Sequence, residues 1–114
     1  MGEVKPFRRP IRWSDLRPDE AEVVIGDRSS PENTANVIFT NHAFDRVGER
    51  DITRLDAFRI LRTGSCVDGP KKDDDGNWVV TMAKRLKGRR EAGVVTVIVV
   101  GEEKLIIPTI EWMD

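Results

Sequence analysis

The spacing of apolar residues changes at Gly64, and this change limits the folds open to the chain. Before Gly64, apolar side chains recur every three to four residues, as on one face of an α-helix. After Gly64 they alternate with polar residues, as in β-strands with one buried face. A chain that places its helices before its strands favours an α+β fold over a fold in which helices and strands alternate.

Two helices are predicted before Gly64. Thr40 is suited to cap the first helix, which we expect to run to about Glu49. Thr53 and Asp56 have the spacing of a capping box for the second helix. This helix is expected to stop at Gly64, because glycine is the usual residue just after a helix.

Four strands are predicted after the helices. Asp75 and Gly76 are typical of a hairpin turn. The third strand is apolar on both faces and is therefore expected at the centre of the sheet. Pro108 cannot donate a hydrogen bond, so the last strand lies at an edge or carries a bulge there. The expected strands cover residues 65–68, 77–86, 93–100 and 104–112.

These segments predict an α+β fold in which two N-terminal helices pack on a four-stranded antiparallel sheet, in the order α-α-β-β-β-β. A chain of 114 residues is long enough for one domain. Residues 1–36 hold four of the six prolines and are expected to form an N-terminal arm. One short helix is expected in this arm near residues 14–24, with Ser14 as its cap. Residues 37–114 are expected to form the α+β domain.

The composition argues against several classes of protein. Cys66 and His42 are the only residues of their types, so an intramolecular disulfide and a Cys/His zinc site are excluded. The longest apolar run, residues 94–100, is too short to span a membrane. The first 13 residues lack the apolar segment of a signal peptide. We therefore expect a cytoplasmic protein with no metal ion or other cofactor, and we expect Cys66 in the core.

The first helix carries a row of polar side chains on one face, namely His42, Arg46 and Glu49. A histidine exchanges protons near neutral pH, and an arginine binds a phosphate through two donors. Glu49 is placed to orient either group or to act as a base. The alternative is an ordinary solvent-exposed face stabilised by pairs at three- and four-residue spacing, and spacing alone favours this alternative.

A basic run follows the second predicted strand. It contains Lys84, Arg85, Arg89 and Arg90, while the net charge of the whole chain is only −1. Lys84 and Arg85 are expected to face opposite sides of the strand, because neighbouring strand residues alternate. Such a run binds phosphates of RNA or DNA with strong salt dependence. A solvated turn that discourages strand pairing explains the run equally well.

Three stretches together resemble a small bacterial domain family, the domain of unknown function DUF4258. They are FTNHAFDRVGERDITRLDAFRILRTG, KGRREAGVVTVIVV and LIIPTIEWM. The resemblance covers about residues 37–112. The family is similar to the RelE-like group, which includes the BrnT and MqsR toxins of toxin–antitoxin pairs. The resemblance therefore implies metal-independent RNA cleavage and a cognate antitoxin as a partner.

The resemblance also implies site residues. His42 and Arg46 match the family's first helix, Arg89 or Arg90 its basic segment, and Thr109 a polar position on its last strand. For RNA cleavage, we expect His42 to be the acid or base, Glu49 to be its partner or a second base, and Arg46, Lys84 and Arg89 to bind the phosphate. The alternative function is a non-catalytic binding module or regulator. It would hold a protein or nucleic-acid partner through the basic turn and the N-terminal arm.

Overall fold

The computed structural model describes residues 12–86, 90–99 and 102–113, which form an α+β fold with helices packed on a sheet. Two short 3₁₀ turns, Trp13–Asp15 and Pro31–Asn36, flank the first helix. The helices are α1 (Pro18–Arg28), α2 (Asn41–Arg50) and α3 (Arg54–Thr63). The strands are β1 (Val37–Phe39), β2 (Ser65–Lys72), β3 (Trp78–Leu86), β4 (Arg90–Ile98) and β5 (Leu105–Trp112).

The sheet has five strands in the order β1-β5-β4-β3-β2. The four strands β2 to β5 pair antiparallel with their neighbours, while β1 pairs parallel to β5. The prediction of four antiparallel strands is therefore wrong in strand number and in the pairing at one edge. β1 has only three residues, too few for alternation to reveal it. Its backbone groups pair with those of β5, which would otherwise be the edge strand.

The described residues contain three α-helices, so the prediction of two helices on the sheet is also incomplete. The additional helix, α1, lies in the predicted N-terminal arm and begins at Pro18 rather than after Ser14. Proline fits the first position of a helix, because the N–H that it lacks has no partner there. Ala21 and Ile25 of α1 are fully buried in the same core as the sheet.

One face of the sheet packs against the helices and forms the core. In β3 and β4, alternate residues point to this face, as the period of two predicts. At Pro108 the pairing of β5 with β4 shifts by one residue, between Val95 and Val97, so of the two predicted alternatives, an edge strand or a bulge, the bulge is the one that occurs. The strands contribute these residues to the hydrophobic core: Val37, Phe39, Val80, Met82, Leu86, Ala92, Val94, Ile98, Leu105, Ile107 and Ile110.

Gly64 ends α3, as predicted, but its backbone is not left-handed. Its φ is −82°, a value that any residue adopts. Glycine is required there by a close approach of the helix end to β3. A Cβ atom on Gly64 would lie 2.5 Å from the carbonyl oxygen of Ile60 and 2.6 Å from that of Ala83. Packing therefore requires a glycine at this position. The requirement becomes visible only from the contact between α3 and β3 in the folded chain.

We expect Gly64→Ala to lower the free energy of unfolding by about 1–3 kcal/mol, because the methyl group forces two backbone segments apart. Gly48→Ala is the matched control. Gly48 lies within α2, and apart from its chain neighbours and the helix's own backbone no described atom lies within 4 Å of the added methyl position. This change should therefore stabilise the helix by up to about 1 kcal/mol. Urea unfolding followed by circular dichroism measures both. Equal effects of the two changes would contradict the packing role of Gly64.

Candidate functional site

Thr40 fixes the position of α2, the helix that carries the polar row. The Thr40 hydroxyl accepts a hydrogen bond from the Ala43 N–H at 3.2 Å, which confirms the predicted N-cap. The same hydroxyl lies 3.2 Å from the Pro108 carbonyl oxygen, to which it donates. The Thr40 N–H donates to the Ile107 carbonyl at 3.1 Å. The start of α2 is thereby held on β5 at its bulge.

The amphipathic pattern of α2 turns its polar row toward solvent. Ala43 is fully buried against the core, while His42 and Glu49 are exposed. The rings of Phe39 and Phe44 pack with their centroids 5.8 Å apart, across the helix start. This contact sets the angle at which the chain enters α2. The row therefore lies on the outer surface of the helix layer.

Within the row, Arg46 joins the other two side chains. Its Nε–H donates to His42 Nε2 at 3.3 Å, and its Nη1 pairs with the Glu49 carboxylate. Nε2 of His42 accepts in this arrangement, so the proton of the neutral ring lies on Nδ1. An acid–base group and an anion-binding group thus share one solvent-accessible network. The same contacts also fit the simpler alternative of helix-stabilising pairs worth a few tenths of a kcal/mol each.

Lys84 and Arg85 lie on opposite faces of the sheet, as their positions on one strand predict. Lys84 pairs in register with Ala92, and Ala92 pairs with Trp112, on the face that carries the helices. Lys84 is partly buried, and its side chain makes no hydrogen bond or ion pair with any residue that the structure describes. Arg85 is exposed on the other face, opposite Glu91.

The remaining predicted site residues are divided between the two faces. Arg90 is paired with Leu86 on the helix side, and its guanidinium carbon lies 4.2 Å from the centre of the Trp112 ring. Thr109 is paired with Val95 on the face without helices. Arg89 lies outside the described residues.

The structure therefore brings His42, Arg46 and Glu49 together through hydrogen bonds. It places Lys84 and Arg90 on the sheet face against which α2 packs. Arg85 and Thr109 are separated from that row by the sheet. For Thr109, the bulge at Pro108 sets which face the side chain takes.

Arg54, at the start of α3, also borders α2, although the sequence reasoning did not single it out. Its guanidinium carbon lies 5.2 Å from the centre of the Phe39 ring and 5.4 Å from that of Phe44. Such cation–π contacts stabilise a pair by about 0.5–1 kcal/mol at exposed sites. The helix-start position of Arg54 is visible in the sequence, but the meeting of α3 with both rings is a tertiary contact.

Cys66 is half-buried rather than fully within the core. Its thiol lies 3.5 Å from the carbonyl oxygens of Asp68 and Gly69. Burial raises the pKa of the Cys66 thiol, although a backbone hydrogen bond at Asp68 opposes part of this shift. The thiol is therefore held in its unreactive, protonated form at neutral pH.

Two further properties concern the described part of the chain. It contains no group of three or more His, Cys, Asp or Glu side chains arranged to hold a metal ion. None of its helices has the length and apolar composition that a bilayer span requires.

A family model described as "Domain of unknown function (DUF4258)" matches residues 39–112. The matched segment begins at Phe39 and includes α2, α3, β2, β3, β4 and β5. The comparison with curated proteins gave no match, and the comparison with solved structures gave none.

We expect Thr40→Val to lower the free energy of unfolding by about 1–2 kcal/mol, because it removes the helix cap and the bond to the Pro108 carbonyl. Thr63→Val is the control. Among the residues that the structure describes, the Thr63 hydroxyl bonds only to the Arg59 carbonyl within α3, so its removal should change stability little. Urea unfolding of both variants measures the difference, and similar losses would contradict the role of Thr40 as a tertiary link.

We expect Cys66 to be alkylated by iodoacetamide at pH 8 more slowly in the folded chain than in the same chain in urea. Its raised pKa leaves less thiolate at a given pH, and the thiolate is the reactive form. Mass spectrometry of timed samples gives both rates. Raising the pH should speed the reaction of the folded chain until the thiol is ionised. Equal rates at pH 8 would show that burial does not suppress the thiolate.

Proposed function

This chain belongs to the DUF4258 family, and on that premise we propose that it is a toxin-like endoribonuclease that cleaves RNA without a metal ion. The observation that carries the proposal is the exposed hydrogen-bonded network of His42, Arg46 and Glu49 on α2. A relation of the family to RelE-like toxins is part of this proposal, and it favours RNA as the substrate and an antitoxin protein as the partner. We place the activity in the cytoplasm, where RNA is available and a free cysteine persists.

In the proposed reaction, the 2′-hydroxyl of RNA attacks the adjacent phosphorus. His42 Nε2 takes the hydroxyl proton once Arg46 turns from the imidazole to a phosphate oxygen. The bond from phosphorus to the 5′-oxygen breaks, and that oxygen takes a proton from solvent. The products are a 2′,3′-cyclic phosphate and a 5′-hydroxyl. Glu49 orients Arg46 before the substrate arrives, through the ion pair on α2.

The phosphate is held by cations on the helix side of the molecule. Arg46 is part of the network itself, and a guanidinium binds two phosphate oxygens at once. Lys84 is partly buried with no ion-pair partner among the described residues, and an anion would offset the cost of its desolvation. Arg90, on the same face, extends the cationic surface beside Trp112. Arg85 and Thr109 face the other side of the sheet and have no part in holding this phosphate.

A non-catalytic nucleic-acid-binding role is the second candidate, and the Arg90–Trp112 pair favours it. An aromatic ring beside a guanidinium is a platform on which bases stack. Binding of this kind needs neither His42 nor Glu49. It should weaken steeply as the salt concentration rises, because phosphate contacts release counterions.

The test is cleavage of end-labelled single-stranded RNA by the purified chain in the presence of EDTA. We expect cyclic-phosphate products, and we expect His42→Ala to lower the cleavage rate by about 10²-fold or more, the usual effect of losing a general base. Arg46→Ala should lower the rate as well. Asp45→Ala is the matched control, because Asp45 is exposed on the same helix but lies outside the network.

The outcomes separate the two candidate functions. RNA binding by the wild-type chain without cleavage would support the binding module and contradict the enzyme. Cleavage that His42→Ala leaves unchanged would contradict the proposed site even if the activity is real. The absence of both binding and cleavage would contradict both functions.

A further inference from the structure

Strand β4 is apolar on both of its faces, which is typical of a strand that is covered on both sides. In the structure, α1, α2 and α3 all pack on one face of the sheet and share one core with it. Val94 and Ile98 point into that core. Val95 and Val97 point to the opposite face, which carries no helix in the described part of the chain. The second apolar face of β4 therefore lacks the layer that its sequence predicts.

The apolar residues of this second face line up across four strands. Val79 on β3 pairs with Val97 on β4, Val97 pairs with Ile106 on β5, and Ile106 pairs with Ile38 on β1. Residues paired across strands point to the same face. The four side chains thus form a continuous row, and Ile38 is 41% exposed at its end.

A second row runs beside the first and is made of Thr81, Val95 and Thr109. We call the two rows together the open face. An antiparallel sheet with one wet face normally shows polar residues on that face. Five of the seven side chains here are β-branched aliphatics, and a contiguous, partly exposed apolar patch of this kind marks an interaction surface.

We propose that the open face packs against the open face of a second copy of this chain. The charged residues around the open face are the first argument for a second copy as the partner. Around the two rows, Lys71 and Arg85 supply positive charge, while Asp68, Glu91 and Glu111 supply negative charge. Lys71 and Asp68 already form an ion pair at 2.8 Å. A surface with both signs suits a copy of itself better than a strongly charged partner such as nucleic acid.

The area of the sheet face is the second argument for contact between two copies. Five strands span about 24 Å at the usual strand spacing, and the strands of the sheet's centre are about 25–30 Å long. The whole sheet face, which includes the open face and the charged residues around it, therefore offers at most about 600 Å² per copy, close to the lower end of specific protein interfaces. Two such sheets pack about 10 Å apart with their strands nearly aligned, as in a β-sandwich. A two-fold axis between the two copies would place the two rows of one copy against the same two rows of the other.

The test is the oligomeric state of the full chain, measured by light scattering and sedimentation over a range of concentrations. We expect a dimer that dissociates on dilution. Val97→Lys places a charge in the middle of the first row and should yield a monomer with an unchanged circular dichroism spectrum. Val23→Lys is the matched control, because Val23 is 72% exposed on α1, in the helix layer, and should leave the dimer intact.

Ile38→Lys is a second variant for the case in which Val97→Lys does not fold. Ile38 is partly exposed at the sheet edge, where a lysine is tolerated, and its substitution should also weaken the dimer. A wild-type chain that stays monomeric overturns the proposal, whether residues 1–11 or a different protein then cover the face. A dimer that both open-face variants preserve overturns it as well.

Discussion

The hydroxyl of Thr40 holds the start of α2 against β5, and the position of the candidate site depends on this link. It caps the helix through the Ala43 N–H and reaches the Pro108 carbonyl, where the bulge interrupts β5. Proline cannot donate to the ladder, so the strand must be irregular at this point. The irregularity leaves a carbonyl that a side chain from the helix layer can bind. The start of α2 and the bulge in β5 therefore stabilise each other through the Thr40 hydroxyl.

This link also explains why the polar row faces solvent. Once the start of α2 is fixed, the buried Ala43 sets the rotation of the helix. His42 and Arg46, at a spacing of one helical turn, then emerge on the outer side and bond to each other. The network is preorganised and open to solvent on one side, which suits a large flexible substrate such as RNA better than a small molecule that needs a closed pocket.

The two faces of the sheet separate two possible roles. The helix side holds the network on α2 together with Lys84 and Arg90, and the RNA proposal concerns that side. The open face carries Val97 and its neighbours, and the proposed contact between copies concerns that side. Dimerisation through the open face would leave α2 accessible. The two proposals are therefore compatible and can fail independently.

The sequence by itself determined the local structure: the caps at Thr40 and Thr53 and the hairpin at Gly76 depend on interactions between residues close in the chain. At Pro108 the sequence left two alternatives, an edge strand or a bulge, and the pairing of β5 with strands on both sides decided for the bulge. The family also follows from the sequence, because its motifs are local and ordered. Only the tertiary structure decided the parallel pairing of β1 and the packing need for Gly64. It likewise decided which sheet face each basic residue takes. These features depend on contacts between distant segments, which no local spacing encodes.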